Sequence, residues 1–208
     1  MGITFYYAPR TSSTRVHWAL DELALAYEAV RVDLAAGEQR TASFLAINPN
    51  GKVAALVDDG ASMFESLAIL IHLGEKYGVA KGLWPAPGSA QSAEALSWTV
   101  WSAVTLGGHG LDVLSNTSER VAPELRNEAR AEQAKTELAA DLAILETKLE
   151  GRTYLLGDTF TLADIAVAGA ASFFSRISGA DRDAFPRVAA WTARCLGRPA
   201  MKALQSAS

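Results

Sequence analysis

Two stretches of this chain gather side chains of the kind that hold charged ligands. Glu65-Ser66 stands between a short hairpin pattern and an apolar-periodic run, Leu67, Ile69, Leu70, Leu73 and Tyr77. Ser66 occupies the place of a helix N-cap, where a hydroxyl accepts from first-turn amides. The unpaired N–H groups and the helix dipole behind it form an anion site. The neighbouring Glu65 adds room for one cation. An anion beside a cation is the charge pattern of a free amino acid, or of the α-amino-acid end of a peptide. The second stretch is the junction of the first strand with the first helix. Tyr6, Tyr7, Arg10, Thr11, Ser12 and Ser13 there offer hydroxyl or cationic groups to a reacting heteroatom. Thr11 and Ser12 are also competent helix caps.

The elements that must position these groups follow from periodicity and punctuation. Ile3 to Tyr7 reads as a buried strand, broken by Ala8-Pro9-Arg10. A helix follows to about Ala26, with Val16, Trp18, Leu20 and Leu23 inward, and a second strand spans Ala29 to Val32. Ala35 to Ala46 is a polar, loosely helical connection. Val53 to Val57 and Ala61 to Phe64 form a hairpin across Asp58-Asp59-Gly60, a strong turn signal. This order, βαβ then ββα with a right-handed crossover, is that of the thioredoxin fold. Gly78 to Ala90 reads as a linker anchored by Trp84, and strand signals then stop. Ala93 to Leu114 and Glu124 to Glu150 are long helical patterns; Glu128, Arg130, Glu132, Lys135 and Glu137 mark a solvated face on the second. Thr161 and Asp164 have capping-box spacing and Phe160 and Ile165 staple spacing, so a helix starts there. A Val188–Leu196 helix ends at Gly197-Arg198-Pro199, and Pro199 can begin a short last one. The expected architecture is α/β plus all-α: a thioredoxin-like domain over residues 1–79, a linker over 80–88 and an all-helical domain over 89–208.

Composition narrows the partners. A net charge of −4 over 208 residues argues against nucleic acid or an anionic membrane. The single cysteine, Cys195, permits no intramolecular disulfide and reads as a small buried hydrophobe in a helix. Three scattered histidines lack metal-ligand spacing, so no metal is expected. No signal-peptide pattern opens the chain, and no apolar run reaches the roughly 18 residues of a membrane span. The expectation is a cytoplasmic protein.

Asn48 to Tyr77 also resembles the glutathione transferase family, whose glutathione-binding half carries NPxGKVPAL, a DDG-type turn and ESxAIxxYL. Asn48, Pro49, Gly51, Lys52, Val53, Ala55, Leu56, Glu65, Ser66, Ala68 and Ile69 match. The segment Gly157 to Ala166, GDTFTLADIA, resembles the family's C-terminal half, so the likeness spans essentially the whole chain. The resemblance implies glutathione as co-substrate and a small hydrophobic electrophile as its acceptor. It puts the γ-glutamyl end on Glu65 and Ser66 and the cysteinyl unit along the backbone of Val53, with Lys52 and Arg10 also in the glutathione site. Alignment on the beta-class turn puts Ser12 at the sulfur; alignment on the theta and zeta pattern favours Thr11. Tyr7, Trp101, Thr105 and His109 are the implied lining of an electrophile pocket between the domains, and a homodimer is implied. Two departures stand out. Ala54 replaces the cis-proline, leaving open a cis or a trans Val53–Ala54 peptide. Ala35-Ala36 fills the slot of a basic residue, with Arg40 the nearest cation. Two other readings remain: a glutathione-dependent disulfide reductase or peroxidase, and a non-catalytic binding protein on the same fold.

Overall fold

The computed structural model describes residues 2–206, which form two compact units. The first holds the residues up to Ser89 together with those from Arg198 onward; the second is Ala90–Gly197.

In the first unit the chain runs β1 (Ile3–Tyr7), α1 (Ser13–Glu22), β2 (Tyr27–Arg31), a 3-10 turn (Glu38–Arg40), α2 (Ala42–Leu45), β3 (Ala55–Asp58), β4 (Ala61–Phe64) and α3 (Ser66–Leu73). The sheet order is β2-β1-β3-β4, with β1 parallel to β2 and the other pairs antiparallel. Period-two alternation splits β1 between two cores. Ile3 and Phe5 are buried on one face, while Tyr6 packs with Phe44, Val32, Ala55, Ile47 and Val53 on the other. Val16, Trp18, Leu20 and Leu23 of the first helical segment are all buried as their spacing predicts. The helix stops at Glu22, four residues short of the expected end, because Ala24 takes a left-handed φ of 46°. Asp59 (φ 50°) and Gly60 (φ 89°) make the hairpin turn.

α3 continues as a π-helical turn, Gly74–Gly78, and a 3-10 turn, Val79–Lys81, so the expected linker begins as helix. Trp84 is buried over that π turn; a Cβ at Gly74 would lie 2.5 Å from its ring. The buried Asp58 carboxylate ties the same segment to β3, accepting from Lys76 Nζ at 2.8 Å and Tyr77 Oη at 2.8 Å and bonding His72 Nε2 at 2.6 Å. The last helix, named α9 below, also belongs to this unit rather than to the helical one. Arg198, at its start, grips Glu22 of α1 through two 2.7 Å hydrogen bonds, and Trp18 Nε1 donates to the same carboxylate at 3.0 Å.

The second unit comprises α4 (Ala90–Val104), α5 (Leu106–Thr117), a 3-10 turn (Pro123–Leu125), α6 (Glu128–Lys148), α7 (Leu162–Ser178), another 3-10 turn (Arg182–Ala184) and α8 (Pro186–Leu196); α9 is Pro199–Ser206. The expected single helix over Ala93–Leu114 is two, broken at Thr105. Glycines crowd the restart, and one of them is required: a Cβ on Gly110 would lie 2.2 Å from the ring of Phe174 on α7. α6 begins at Glu128 rather than Glu124, where the Asn127 side chain caps Arg130 N at 3.0 Å. α7 is buried along most of its length. Its start follows the capping-box spacing: Asp164 accepts from Thr161 N at 2.8 Å. No helix among the described residues is long and apolar enough to cross a membrane.

Candidate functional site

Strand register brings the chemically promising residues to one end of the sheet. Tyr6 pairs with Ala55, and Ala55 with Phe64. The turn after β1 (Ala8 to Ser12), the Val53–Ala54 segment before β3 and the Glu65-Ser66 segment after β4 therefore emerge side by side. Sequence separations of more than forty residues collapse into adjacent strand ends.

Each segment is shaped by its own bonds. In the first turn, the Thr11 and Ser13 hydroxyls lie 2.6 Å apart, and each is 2.8 Å from the carbonyl of Ala8. Thr11 Oγ1 also accepts from Ser13 N at 3.2 Å, and Ser13 Oγ accepts from Ala8 N at 3.3 Å. Two hydroxyl protons have two acceptors here, so both are consumed internally. Ser12 differs. It is exposed, stands at the N-cap of α1 and makes no capping bond. Of the two candidates for contacting the sulfur, only Ser12 keeps a free hydroxyl proton. Arg10, exposed with φ 58°, shapes the same turn.

In the second segment the Val53–Ala54 peptide is cis, one of the two geometries left open by the missing proline. Asn48, buried, sets the loop that leads to it: its amide donates to Lys52 O at 2.5 Å and accepts from Asn50 N at 3.0 Å. Gly51 at φ +59° lets Arg40 approach, since a Cβ there would meet Arg40 Nη1 at 2.9 Å. Among the described residues, neither N–H nor C=O of Val53 serves another part of the chain. An extended ligand strand would satisfy both.

The third segment departs by one residue from expectation. Glu65, not Ser66, is the N-cap of α3; its φ of 66° holds it out of the helix while its carbonyl accepts from Ile69 N at 3.0 Å. Ser66 becomes the first helical residue, nearly buried. The amides of Ser66, Leu67 and Ala68 have no intrahelical acceptor, so the anion site survives the shift, with the exposed Glu65 beside it.

This arrangement has relatives. Residues 1–75 match the family described as "Glutathione S-transferase, N-terminal domain", and residues 116–199 match "Glutathione S-transferase, C-terminal domain". The disulfide-bond oxidoreductase YfcG of Escherichia coli strain K12 is 32% identical over 205 residues, covering 95% of this chain and 92% of that protein. The chain belongs to the glutathione S-transferase family. Glutathione S-transferase GstB of the same strain is 36% identical over 160 residues, 76% of each protein. The crystal structure of glutathione transferase URE2P8 from Phanerochaete chrysosporium, with oxidized glutathione, superposes with a TM-score of 0.87 at 26% identity, over 99% of this chain and 94% of that one.

The residues expected to line an electrophile pocket have the following surroundings within their own units. Tyr7 of β1 stacks on Phe5 at 5.6 Å and meets the His17 ring at 5.4 Å. His17, boxed also by Tyr27 at 5.8 Å, has its pKa pushed down by burial, against the pull of Asp21. Trp101 meets Trp98 edge-on at 5.1 Å, and Lys148 sits over the Trp98 ring while pairing with Glu94. Thr105 lies at the α4–α5 break. His109 packs onto α6: its Nδ1 is 2.7 Å from the buried carboxylate of Asp141, and its Nε2 is 3.8 Å from Glu137. Burial raises the Asp141 pKa against the opposing pull of His109. Sequence spacing had no signal for that pairing, because 32 residues separate the partners. Among the described residues no cluster of His, Cys, Asp or Glu could hold a metal, and Cys195 is fully buried.

Proposed function

We propose that this protein binds glutathione at the sheet end formed by Ser12, Val53, Glu65 and Ser66, and conjugates its sulfur to small apolar electrophiles. The observation that carries the reading is the free hydroxyl of Ser12, left over when Thr11 and Ser13 close their own bonds. The backbone of Val53 takes the cysteinyl unit as an added strand. The open amides at the start of α3 and the Ser66 hydroxyl take the γ-glutamyl carboxylate, and Glu65 takes its ammonium. Lys52, Arg10 and Arg40 are the nearby cations for the second carboxylate. A relative of the same fold crystallised with oxidized glutathione supports glutathione as the ligand.

The chemistry needed is modest. A free thiol ionises near pKa 8.5, so only a few per cent is thiolate at pH 7. A hydrogen bond from Ser12 to the sulfur favours the thiolate, and each unit of lowering is worth about 1.4 kcal/mol. The thiolate then attacks the electrophile, and the leaving group departs with the electron pair of the broken bond. Tyr7, Trp101, Thr105 and His109 are the candidates for contact with the electrophile. We also infer a cytoplasmic homodimer; exposed Val100 and Val104, one turn apart on α4, and exposed Phe64 on β4 are among the apolar side chains open to a partner.

A second reading has a specific observation behind it. A relative matched over 95% of the chain is a disulfide-bond oxidoreductase, and the one cysteine here, Cys195, is buried. Reduction would then be done by glutathione alone: one thiolate displaces a thiol from the substrate disulfide, and a second glutathione displaces the other, leaving oxidised glutathione. Calorimetry with glutathione tests binding. Wild type, Ser12→Ala and Thr11→Val are then assayed with an aryl halide and with a mixed disulfide. Loss of conjugation of about tenfold or more in Ser12→Ala alone supports the assignment. Undiminished activity in Ser12→Ala refutes it; binding without turnover on either substrate supports a binding protein instead.

A further inference from the structure

In the helical unit, the last turns of α7, the first turns of α8 and the loop between them line a cavity of about 350 Å³. That is the small end of the range for ligand pockets, roughly 300–1,000 Å³, so the space suits one small ring-bearing molecule. Its apolar wall is Val188, which is buried, with Phe185 and Ala189, which are half-buried. Two of its hydroxyls are already spent as donors: Ser175 gives its proton to Ala171 O at 2.6 Å, and Thr192 to Val188 O at 2.8 Å. Ser172 has no such acceptor among the described residues and keeps its proton for a ligand.

Two opposite charges line the same cavity without neutralising each other. Arg176 lies over the Phe173 ring at 5.4 Å and makes no ion pair among the described residues, whereas the arginines at 130, 187 and 198 all grip carboxylates. Asp181 accepts from Asp183 N at 2.9 Å and likewise pairs with no cation among the described residues. It follows the C-terminus of α7, a helix end that itself favours positive charge. The start of α8 is closed to an anion, because Glu146 of α6 already accepts from Arg187 N at 3.0 Å and Val188 N at 2.9 Å. A carboxylate entering the cavity therefore has Arg176 and Ser172 to turn to, and an ammonium has Asp181. We propose that this cavity binds a free apolar α-amino acid: its carboxylate on Arg176 and Ser172, its ammonium on Asp181, and its side chain against Phe185, Val188 and Ala189. The planar guanidinium suits the first of these contacts, since it can meet a carboxylate through two parallel hydrogen bonds. The site shares no residue with the proposed glutathione site and does not rest on that reading.

The probe is L-phenylalanine, titrated by calorimetry into the full chain without glutathione. Wild type should bind it, and should bind 3-phenylpropanoate, which lacks the ammonium, and phenethylamine, which lacks the carboxylate, at least about tenfold more weakly. Arg176→Gln and Asp181→Asn should each weaken phenylalanine about tenfold. Their melting temperatures should not change, since neither loses an ion pair and Asp181→Asn keeps an acceptor for Asp183 N. Ala189→Phe, which fills the cavity, should abolish binding; if it does not fold, the two charge variants decide the question. Saturating glutathione should leave phenylalanine affinity as it was. Competition by glutathione would put the amino acid at Glu65-Ser66 and overturn the inference. Equal affinity for 3-phenylpropanoate, unaltered binding in both charge variants, or no heat from wild type at about 10 mM phenylalanine would overturn it too. Failure of glutathione to bind strikes the earlier proposal alone, because the phenylalanine titrations are read without it.

Discussion

Asp164, at the start of α7, is fully buried and is surrounded by four donor contacts. One carboxylate oxygen accepts from Leu155 N at 2.8 Å and Trp191 Nε1 at 2.9 Å; the other accepts from Thr161 N at 2.8 Å and Thr161 Oγ1 at 3.1 Å. Burial pushes its pKa up, and the four donors pull it back. Three of the four are N–H groups that can only donate, so the geometry is that of an accepting carboxylate. Asp164→Asn keeps the shape but turns one oxygen into an amide donor. The less damaging placement sets that NH2 opposite Thr161 N–H and leaves the carbonyl for Leu155 and Trp191. One buried amide then loses its acceptor, at about 1–3 kcal/mol, and the remaining bonds lose their charge assistance. Relief of the buried charge offsets part of this, for a net loss of about 2–3 kcal/mol. Asp164→Ala strands three N–H donors, and we expect a loss of about 4 kcal/mol. For a chain of this size these correspond to roughly 5–10 and 10–15 °C in melting temperature. Urea unfolding followed by tryptophan fluorescence and far-ultraviolet circular dichroism measures both, provided the two transitions coincide. If Asp164→Asn stays within about 0.5 kcal/mol of wild type, the side chain is already a neutral acid and the reasoning fails.

Three further outcomes are expected. Burial alone would raise the Asp58 pKa, but Lys76, His72 and Tyr77 together hold it below the usual carboxylate range. Its stabilising contribution is therefore present above the unfolded pKa of about 3.9 and lost as pH falls through the lower folded value. Asp58→Asn should lower stability at pH 7 and flatten its decline below about pH 4, as read by thermal melts across pH; an unchanged acid limb counts against this. Asn48→Ala removes both bonds that set the loop before Val53, and should weaken glutathione binding about tenfold in calorimetry while Ser66→Ala weakens it independently. Gly110→Ala pushes a methyl into the Phe174 ring, and should cost about 1–3 kcal/mol in urea unfolding despite alanine's better helix propensity. A stabilised Gly110→Ala protein would mean that α5 and α7 have room to separate.

Sequence alone determined what depends on near neighbours. The Asp59-Gly60 hairpin, the Thr161–Asp164 box and the inward face of α1 rest on turn chemistry, capping and 3.6-residue periodicity, and these act over a few residues wherever the chain goes. Element ends were less legible, because they hang on single backbone conformations: the left-handed Ala24 shortens α1, and the left-handed Glu65 moves the start of α3 back onto Ser66, the expected cap. Tertiary structure decided the rest. Thr11 and Ser12 look equivalent in the chain, and only the closing of Thr11 onto Ala8 and Ser13 separates a spent hydroxyl from a free one. The break at Thr105, the pairing of His109 with Asp141 and the docking of Arg198 on Glu22 join residues of different elements. Hydrogen bonding and desolvation are set by what lies within a few ångströms in space, and adjacency along the chain does not specify that.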